Sequence, residues 1–83
     1  MHAELITFTE NLVKSLVSEP DMVKVQEFLG DEEIIQLEII VQNDDMGAVI
    51  GKSGKMISAI RVLIQAAAYN MGLKRVRINV DSF

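Results

Sequence analysis

Val49-Ile50-Gly51-Lys52-Ser53-Gly54-Lys55 sets a lysine and a serine between two glycines and joins two stretches of helical periodicity. Before it, Asn43-Asp44 reads as a helix cap ahead of Met46-Gly47-Ala48-Val49-Ile50, about two turns that Gly51 ends. After it, Ile57, Ile60, Ile64, Ala67, Ala68 and Met71 recur at helical spacing, a stripe over Lys55 to Met71 that Gly72 closes. Glycine at both ends lets the backbone turn sharply and lets another backbone come close, since no Cβ stands in the way. The second helix starts near Gly54, so its free amides and positive dipole end point into the same space. Lys52 and Lys55 are point charges beside that space, and Ser53 can cap the helix or donate to a phosphate oxygen. A Gly-x-x-Gly is also, more simply, a tight turn between helices. Its polar centre and flanking lysine point instead to a phosphate as ligand.

Working outward, Ile35, Leu37, Ile39 and Val41 alternate with Gln36 and Glu38. Val23 and Val25 alternate with Lys24 and Gln26, and a turn at Gly30-Asp31 makes the two runs a hairpin. Leu5, Phe8, Leu12 and Leu16, with Val13 and Val17 beside them, form one face of a helix over residues 3–18, stopped by Glu19-Pro20-Asp21. Downstream, Lys74 to Asp81 alternates, with Val76, Ile78 and Val80 on one face and Arg75, Arg77 and Asn79 on the other. The order is α-β-β-α-α-β, and the class is α+β: a three-stranded sheet with three helices packed on one face. Two helices join the second and third strands, which are therefore free to run parallel and make the sheet mixed.

The 83 residues suffice for one small domain, taken as residues 1–83. Nearly half are apolar and 24% charged, a composition that packs a core and lacks the signature of disorder. A domain of this size buries only ~60–65% of the surface its unfolded chain exposes, and the positive mean hydropathy leaves apolar residues over. Self-association is the expected consequence. Without cysteine and with one His, there is no disulfide, thiolate site or cysteine nucleophile, and no cofactor is expected. No apolar run approaches the ~20 residues of a membrane span. The start, Met1-His2-Ala3-Glu4-Leu5, has no basic n-region, so a cytoplasmic protein is expected.

The net charge of −4 hides a sorted distribution. Residues 1–50 hold Lys14 and Lys24 against eleven acids, whereas residues 51–83 hold Lys52, Lys55, Arg61, Lys74, Arg75 and Arg77 against Asp81 alone. Such asymmetry either marks an anionic partner or reflects two differently solvated faces.

The strand-helix-loop-helix-strand setting resembles the KH domain, in which a Gly-x-x-Gly loop clamps about four nucleotides of single-stranded RNA or DNA. The extra N-terminal helix and strand are similar to the bacterial type II form. More narrowly, Asp45-Met46-Gly47-Ala48-Val49-Ile50-Gly51-Lys52-Ser53-Gly54-Lys55, Ser58-Ala59-Ile60-Arg61 and Ala66-Ala67-Ala68 resemble the small single-KH proteins of the KhpA/YlqC family. The resemblance covers the full length. It implies non-catalytic binding of single-stranded RNA in the cytoplasm, as a post-transcriptional regulator or RNA chaperone. It also implies homodimers, and heterodimers with a larger KH protein of the Jag type. Carried onto this chain, it assigns the RNA backbone to Gly51, Lys52, Ser53 and Gly54, with Lys55 and Ser58 beside them. Ile50 and Ile57 are either groove or core residues, and Arg61 is either a phosphate or base contact or part of a solvated helix face. Phe8, Phe28, Tyr69 and Phe83 lie outside the loop region, so strong base stacking is not expected.

Two rival readings remain. Gly47-Ala48-Val49-Ile50-Gly51-Lys52-Ser53 approaches the P-loop of nucleotide hydrolases but has three residues between its glycines where four are required. Ala59, Val62, Ala66 and Tyr69 form an apolar strip beside the core stripe, which suits a dimer interface and a KH-shaped interaction module with little RNA binding of its own. His2 reads as exposed, and Asp44-Asp45 and Asp31-Glu32-Glu33 as solvated turns.

Overall fold

The computed structural model describes residues 2–28 and 33–83. The elements are α1 (Ala3–Lys14), β1 (Lys24–Phe28), β2 (Ile34–Val41), α2 (Met46–Ile50), α3 (Lys55–Asn70) and β3 (Arg75–Ser82). The order and the α+β class are those the periodicities predict. The expected turn at Gly30-Asp31 lies outside the described residues.

β2 is the central strand, and its strict alternation turns Ile35, Leu37, Ile39 and Val41 inward. β1 pairs with it antiparallel, Val25 opposite Ile39, and β3 pairs parallel, Ile78 opposite Leu37. The sheet is therefore mixed, with β1 and β3 at its edges. A parallel pair needs a crossover, which α2 and α3 supply. Ile57, Ile60, Ile64 and Ala68 of α3, with Leu5 and Val13 of α1, pack on the inward face of β2. By register the opposite face of the sheet carries Phe28, Gln36 and Arg77 in one row and Gln26, Glu38 and Asn79 in the next.

α1 departs from expectation in length and in rotation. It ends at Lys14 rather than residue 18, because Ser15 turns the chain and donates its hydroxyl to the Leu12 carbonyl at 2.6 Å. Its buried line is Leu5, Thr9 and Val13, while Phe8 is left 37% exposed. Thr9 is tolerated at the centre of that line because its hydroxyl donates to the Leu5 carbonyl at 2.8 Å, so no polar group is buried unpaired. The C-terminus of α3 follows its sequence signal. Gly72 sits at φ 75°, Gly72 N–H bonds to Tyr69 O at 3.0 Å and Leu73 N–H to Ala68 O at 2.8 Å, the paired bonds of a Schellman ending.

Two polar residues have roles that local sequence does not suggest. His2 is half-buried and not simply exposed: its backbone N–H and its Nδ1 lie 2.7 Å from the two carboxylate oxygens of Glu27, tying the start of α1 to β1. Partial burial raises the Glu27 pKa, but the His2 hydrogen bonds outweigh it and the net shift is downward. Asp45 is buried rather than solvating a turn. It occupies the N-cap position of α2, downstream of the expected Asn43-Asp44 cap, without making a capping bond. Its carboxylate instead accepts the backbone N–H of Ser18 at 3.0 Å, the Ser18 hydroxyl at 2.7 Å and the Glu19 N–H at 3.2 Å. The Ser18 bonds, with the weaker help of Glu19, outweigh desolvation and hold this carboxyl below its ordinary 3.8.

A group whose folded pKa is depressed stabilises the fold above its unfolded value and loses that contribution as pH falls through the folded value. Asp45→Asn should therefore be less stable than the parent at pH 7, and the gap should narrow below about pH 3.8. Urea denaturation across that range tests this. A gap independent of pH would show that the charge of Asp45 is not what binds Ser18.

Candidate nucleic-acid interface

The corner between α2 and α3 is set by backbone sterics. Gly51 closes α2 with its N–H on Gly47 O at 2.8 Å, at φ 77° and ψ 172°. A Cβ on Gly51 would lie 2.6 Å from Met56 Cβ and 2.7 Å from Met56 N, so the chain crosses the first turn of α3 where only glycine fits. Gly54 N–H then returns to Gly51 O at 3.1 Å. Ser53 (φ 56°) and Gly54 (φ 75°) are both left-handed, and Gly54 rather than Ser53 is the N-cap of α3. The helix-capping role open to Ser53 in sequence is therefore not used: α3 has no side-chain cap hydrogen bond, and its first amides are left for solvent or an anion. A Cβ at Gly54 would meet nothing, so that glycine is needed for its φ alone.

Lys52, Ser53 and Lys55 are exposed around this corner. Neither lysine has a carboxylate within ion-pair distance among the described residues. Two exposed lysines, left-handed backbone and uncapped amides thus lie at one end of a 16-residue helix. Ser58 is exposed one turn on, its hydroxyl donating to Gly54 O at 2.9 Å. Arg61 follows, its Nη2 donating at 3.5 Å to the Ile78 carbonyl on the outer edge of β3. Ile57 is 5% exposed and belongs to the core, whereas Ile50 is half-buried at the margin of the core.

Sequence reasoning missed Gln65. Its Oε1 accepts the Val76 N–H at 2.9 Å and its Nε2 donates to Lys74 O at 3.3 Å, so α3 hydrogen-bonds part of the free edge of β3. A glutamine inside a helix gives no signal of that role. The apolar strip expected on α3 is open: Ala59 and Ala66 are exposed, Val62 is 68% and Tyr69 62% accessible. Leu63, also missed, extends it at 50%. The signal was Val62-Leu63-Ile64, three apolar residues in a row that one helix face cannot hold. The P-loop reading fails on geometry, because Met46–Ile50 is helix where that motif needs an open loop. Among the described residues, no group of His, Cys, Asp or Glu is placed to hold a metal ion, and no helix is long and apolar enough to cross a membrane.

A family model described as the KH domain of KhpA/KhpB matches residues 6–80. The RNA-binding protein KhpA of Clostridium perfringens is 52% identical over 59 residues, covering 71% of this chain and 77% of that protein. Its counterpart in Clostridium acetobutylicum is 48% identical over 71 residues, covering 86% of this chain and 92% of that one. Among solved structures, Era of Aquifex aeolicus superposes on 95% of this chain with a TM-score of 0.73 at 20% identity, and this chain spans 30% of it. Era in complex with MgGDPNP and nucleotides 1506–1542 of 16S ribosomal RNA gives a TM-score of 0.71 at 19% identity, over 29% of that chain. The likeness to Era concerns the fold.

The two loop glycines should respond differently to alanine. Gly54→Ala meets no atom and should cost about 1–2 kcal/mol for the left-handed backbone. Gly51→Ala adds displacement of Met56 to a strained φ and ψ and should cost about 2–4 kcal/mol. Equal losses in chemical denaturation would contradict the close approach of the two backbones.

Proposed function

The chain belongs to the KhpA/KhpB KH-domain family, and from that premise we propose that it binds single-stranded RNA, without catalysis, through the Gly51–Gly54 loop. The observation that carries the reading is that Lys52, Ser53 and Lys55 stand exposed beside the uncapped start of α3, at a corner that Gly51 allows to close tightly. An RNA backbone lies against the loop, with its phosphates on Lys52, Ser53 and Lys55. Ser58 and Arg61 continue the contact along α3, and Ile50 offers apolar surface at its margin. The relatives named RNA-binding protein support the ligand class. Single-stranded DNA shares the backbone chemistry that the loop would hold. A role in the cytoplasm as a post-transcriptional regulator or RNA chaperone fits a small protein that holds single strands and carries no catalytic group on the loop.

The exposed strip Ala59, Val62, Leu63, Ala66 and Tyr69 favours a second element of the reading. Apolar surface of this kind on one helix is covered by a second copy of the chain or by a KH partner of the Jag type, the latter in keeping with a family description that spans two proteins. The face begins at Ala59, one turn past Lys55 on the same side of α3, so a partner seated on it would approach the loop.

Replacing Lys52 and Ser53 together by Asp puts two negative charges where a phosphate sits. Affinity for a single-stranded RNA should fall at least tenfold, with circular dichroism and melting temperature close to the parent, since exposed loop positions seldom cost more than ~0.5 kcal/mol. Unchanged affinity would refute the loop as the site. For a clamp on about three phosphates, the slope of log K against log salt should be roughly −2. A slope near zero would mean that no phosphate is held. For the assembly, light scattering should give a mass near twice 9.2 kDa, and Val62→Glu should shift it to monomer. A parent that stays monomeric at high micromolar concentration would leave the strip to another partner.

A further inference from the structure

The two edges of the sheet are treated differently. Along β3, Gln65 and Arg61 occupy backbone groups that face outward. The outward side of β1 follows from the ladder. Phe83 N–H bonds to Val41 O, so the odd residues of β2 turn their backbone groups to β3 and the even ones turn theirs to β1. Lys24, Gln26 and Phe28, opposite Ile40, Glu38 and Gln36, therefore spend their backbone groups on β2, while Val25 and Glu27 point theirs away from the sheet. Among the described residues nothing bonds to those outward N–H and C=O groups. Val23 N–H, next in line, is already held by Pro20 O at 3.2 Å. An open edge of this kind is a template for another strand.

Pairing chemistry selects the strand. A second copy can offer its own β1, antiparallel and related by a two-fold axis normal to the sheet. Outward groups must meet outward groups, which puts the axis on a residue rather than between two. An axis at Lys24 or at Glu27 sets like charges directly opposite each other. At Phe28 it runs the pairs past the end of the strand. At Val25 it needs the Val23 N–H that Pro20 holds, and it sets the two Lys24 side chains diagonally across the pair. An axis at Gln26 has none of these faults. Val25 then exchanges N–H···O bonds both ways with Glu27 of the other copy, on each side of the axis. The Lys24 ammonium meets the other copy's Phe28 ring, which is 45% exposed, and the two Gln26 carboxamides face each other. The Glu27 carboxylate is already bonded to His2, so it brings no unpaired charge to its place opposite Val25.

We infer that β1 is a self-association edge, at which two copies join antiparallel about Gln26 and merge their three-stranded sheets into one. The joining uses none of the α3 strip and does not depend on what the loop binds. Two hydrogen-bonded residue pairs make a small interface, so it is weak, with a Kd on the order of 1 mM. Copies already held close by the strip reach effective concentrations of that order.

The chain has no cysteine, so a single introduced thiol reports on the axis. Gln26→Cys places the two Cβ atoms about 4.5–5.5 Å apart, near bridging distance. Lys24→Cys leaves its two thiols about 13 Å apart along the strands, four residues at ~3.3 Å each. At about 1 mM protein with diamide as oxidant, Gln26→Cys should form a covalent dimer at least tenfold faster than Lys24→Cys, the fold of both being checked by circular dichroism and melting. Adding Val62→Glu should keep that preference. Equal rates, or no covalent dimer from Gln26→Cys, overturn the inference and leave the edge to an extended segment of another protein. Loss of the dimer on adding Val62→Glu also overturns it, because the copies then meet through the α3 strip. The unsubstituted chain gives a second measurement. Hydrogen exchange at the Val25 and Glu27 amides should slow about threefold between about 10 µM and about 3 mM, with the Gln26 amide unchanged. Exchange that is independent of concentration at Val25 and Glu27 overturns the inference.

Discussion

The close approach of Gly51 to Met56 is the constraint on which the rest of the molecule turns. β2 and β3 run parallel, from Ile34 beside Arg75 to Val41 beside Ser82, so the chain must return the full length of a strand between them. It does so with one short helix and one long one, and the corner between them has no room for a Cβ. Were α2 held further from α3, Val49 could not reach the core that it shares with Ile57 and Ile60. The tight corner that packs the crossover also lifts Lys52 and Ser53 clear of the helices and leaves the start of α3 uncapped. The packing of the crossover and the shape of the proposed binding loop therefore depend on the same glycine.

Charge is distributed along this architecture in a way that net charge conceals. The acidic first half of the sequence supplies α1, the hairpin and the entry to α2, where Glu27 and Asp45 are consumed in tying distant segments together. The basic second half supplies the loop, α3 and β3. A protein with net charge −4 thereby gathers most of its cations on the loop, α3 and β3, while Glu27 and Asp45 are drawn into structural bonds.

Edge strands expose unpaired backbone, and β3 is one of the two edges. α3 answers this from its own side chains: Gln65 takes the Val76 N–H and the Lys74 carbonyl, and Arg61 reaches Ile78 O. The helix that carries the Gly51–Gly54 corner at its start thus also guards the neighbouring strand against pairing with another chain. What it leaves bare is its own outer face, Val62, Leu63 and Tyr69.

The element order, the α+β class and the loop as the most informative segment were legible in the sequence, because strand alternation, helical spacing and glycine punctuation are carried by consecutive residues. The Schellman ending at Gly72 and the inward face of β2 are of this local kind. The rotation of α1 was not legible: Phe8 and Leu12 satisfy a helical period as well as Thr9 and Val13 do, and only packing against the sheet and α3 chooses between them. Nor was the work of Asp45, 27 residues from Ser18, or of His2, 25 from Glu27. Phe28 read as an aromatic outside the loop region, and only the strand register sets it in a row with Arg77. Sequence periodicity states which face of an element is apolar. Which faces and charges then meet is fixed by strand register and by the crossover, and these join residues too far apart in the chain for any local pattern to record.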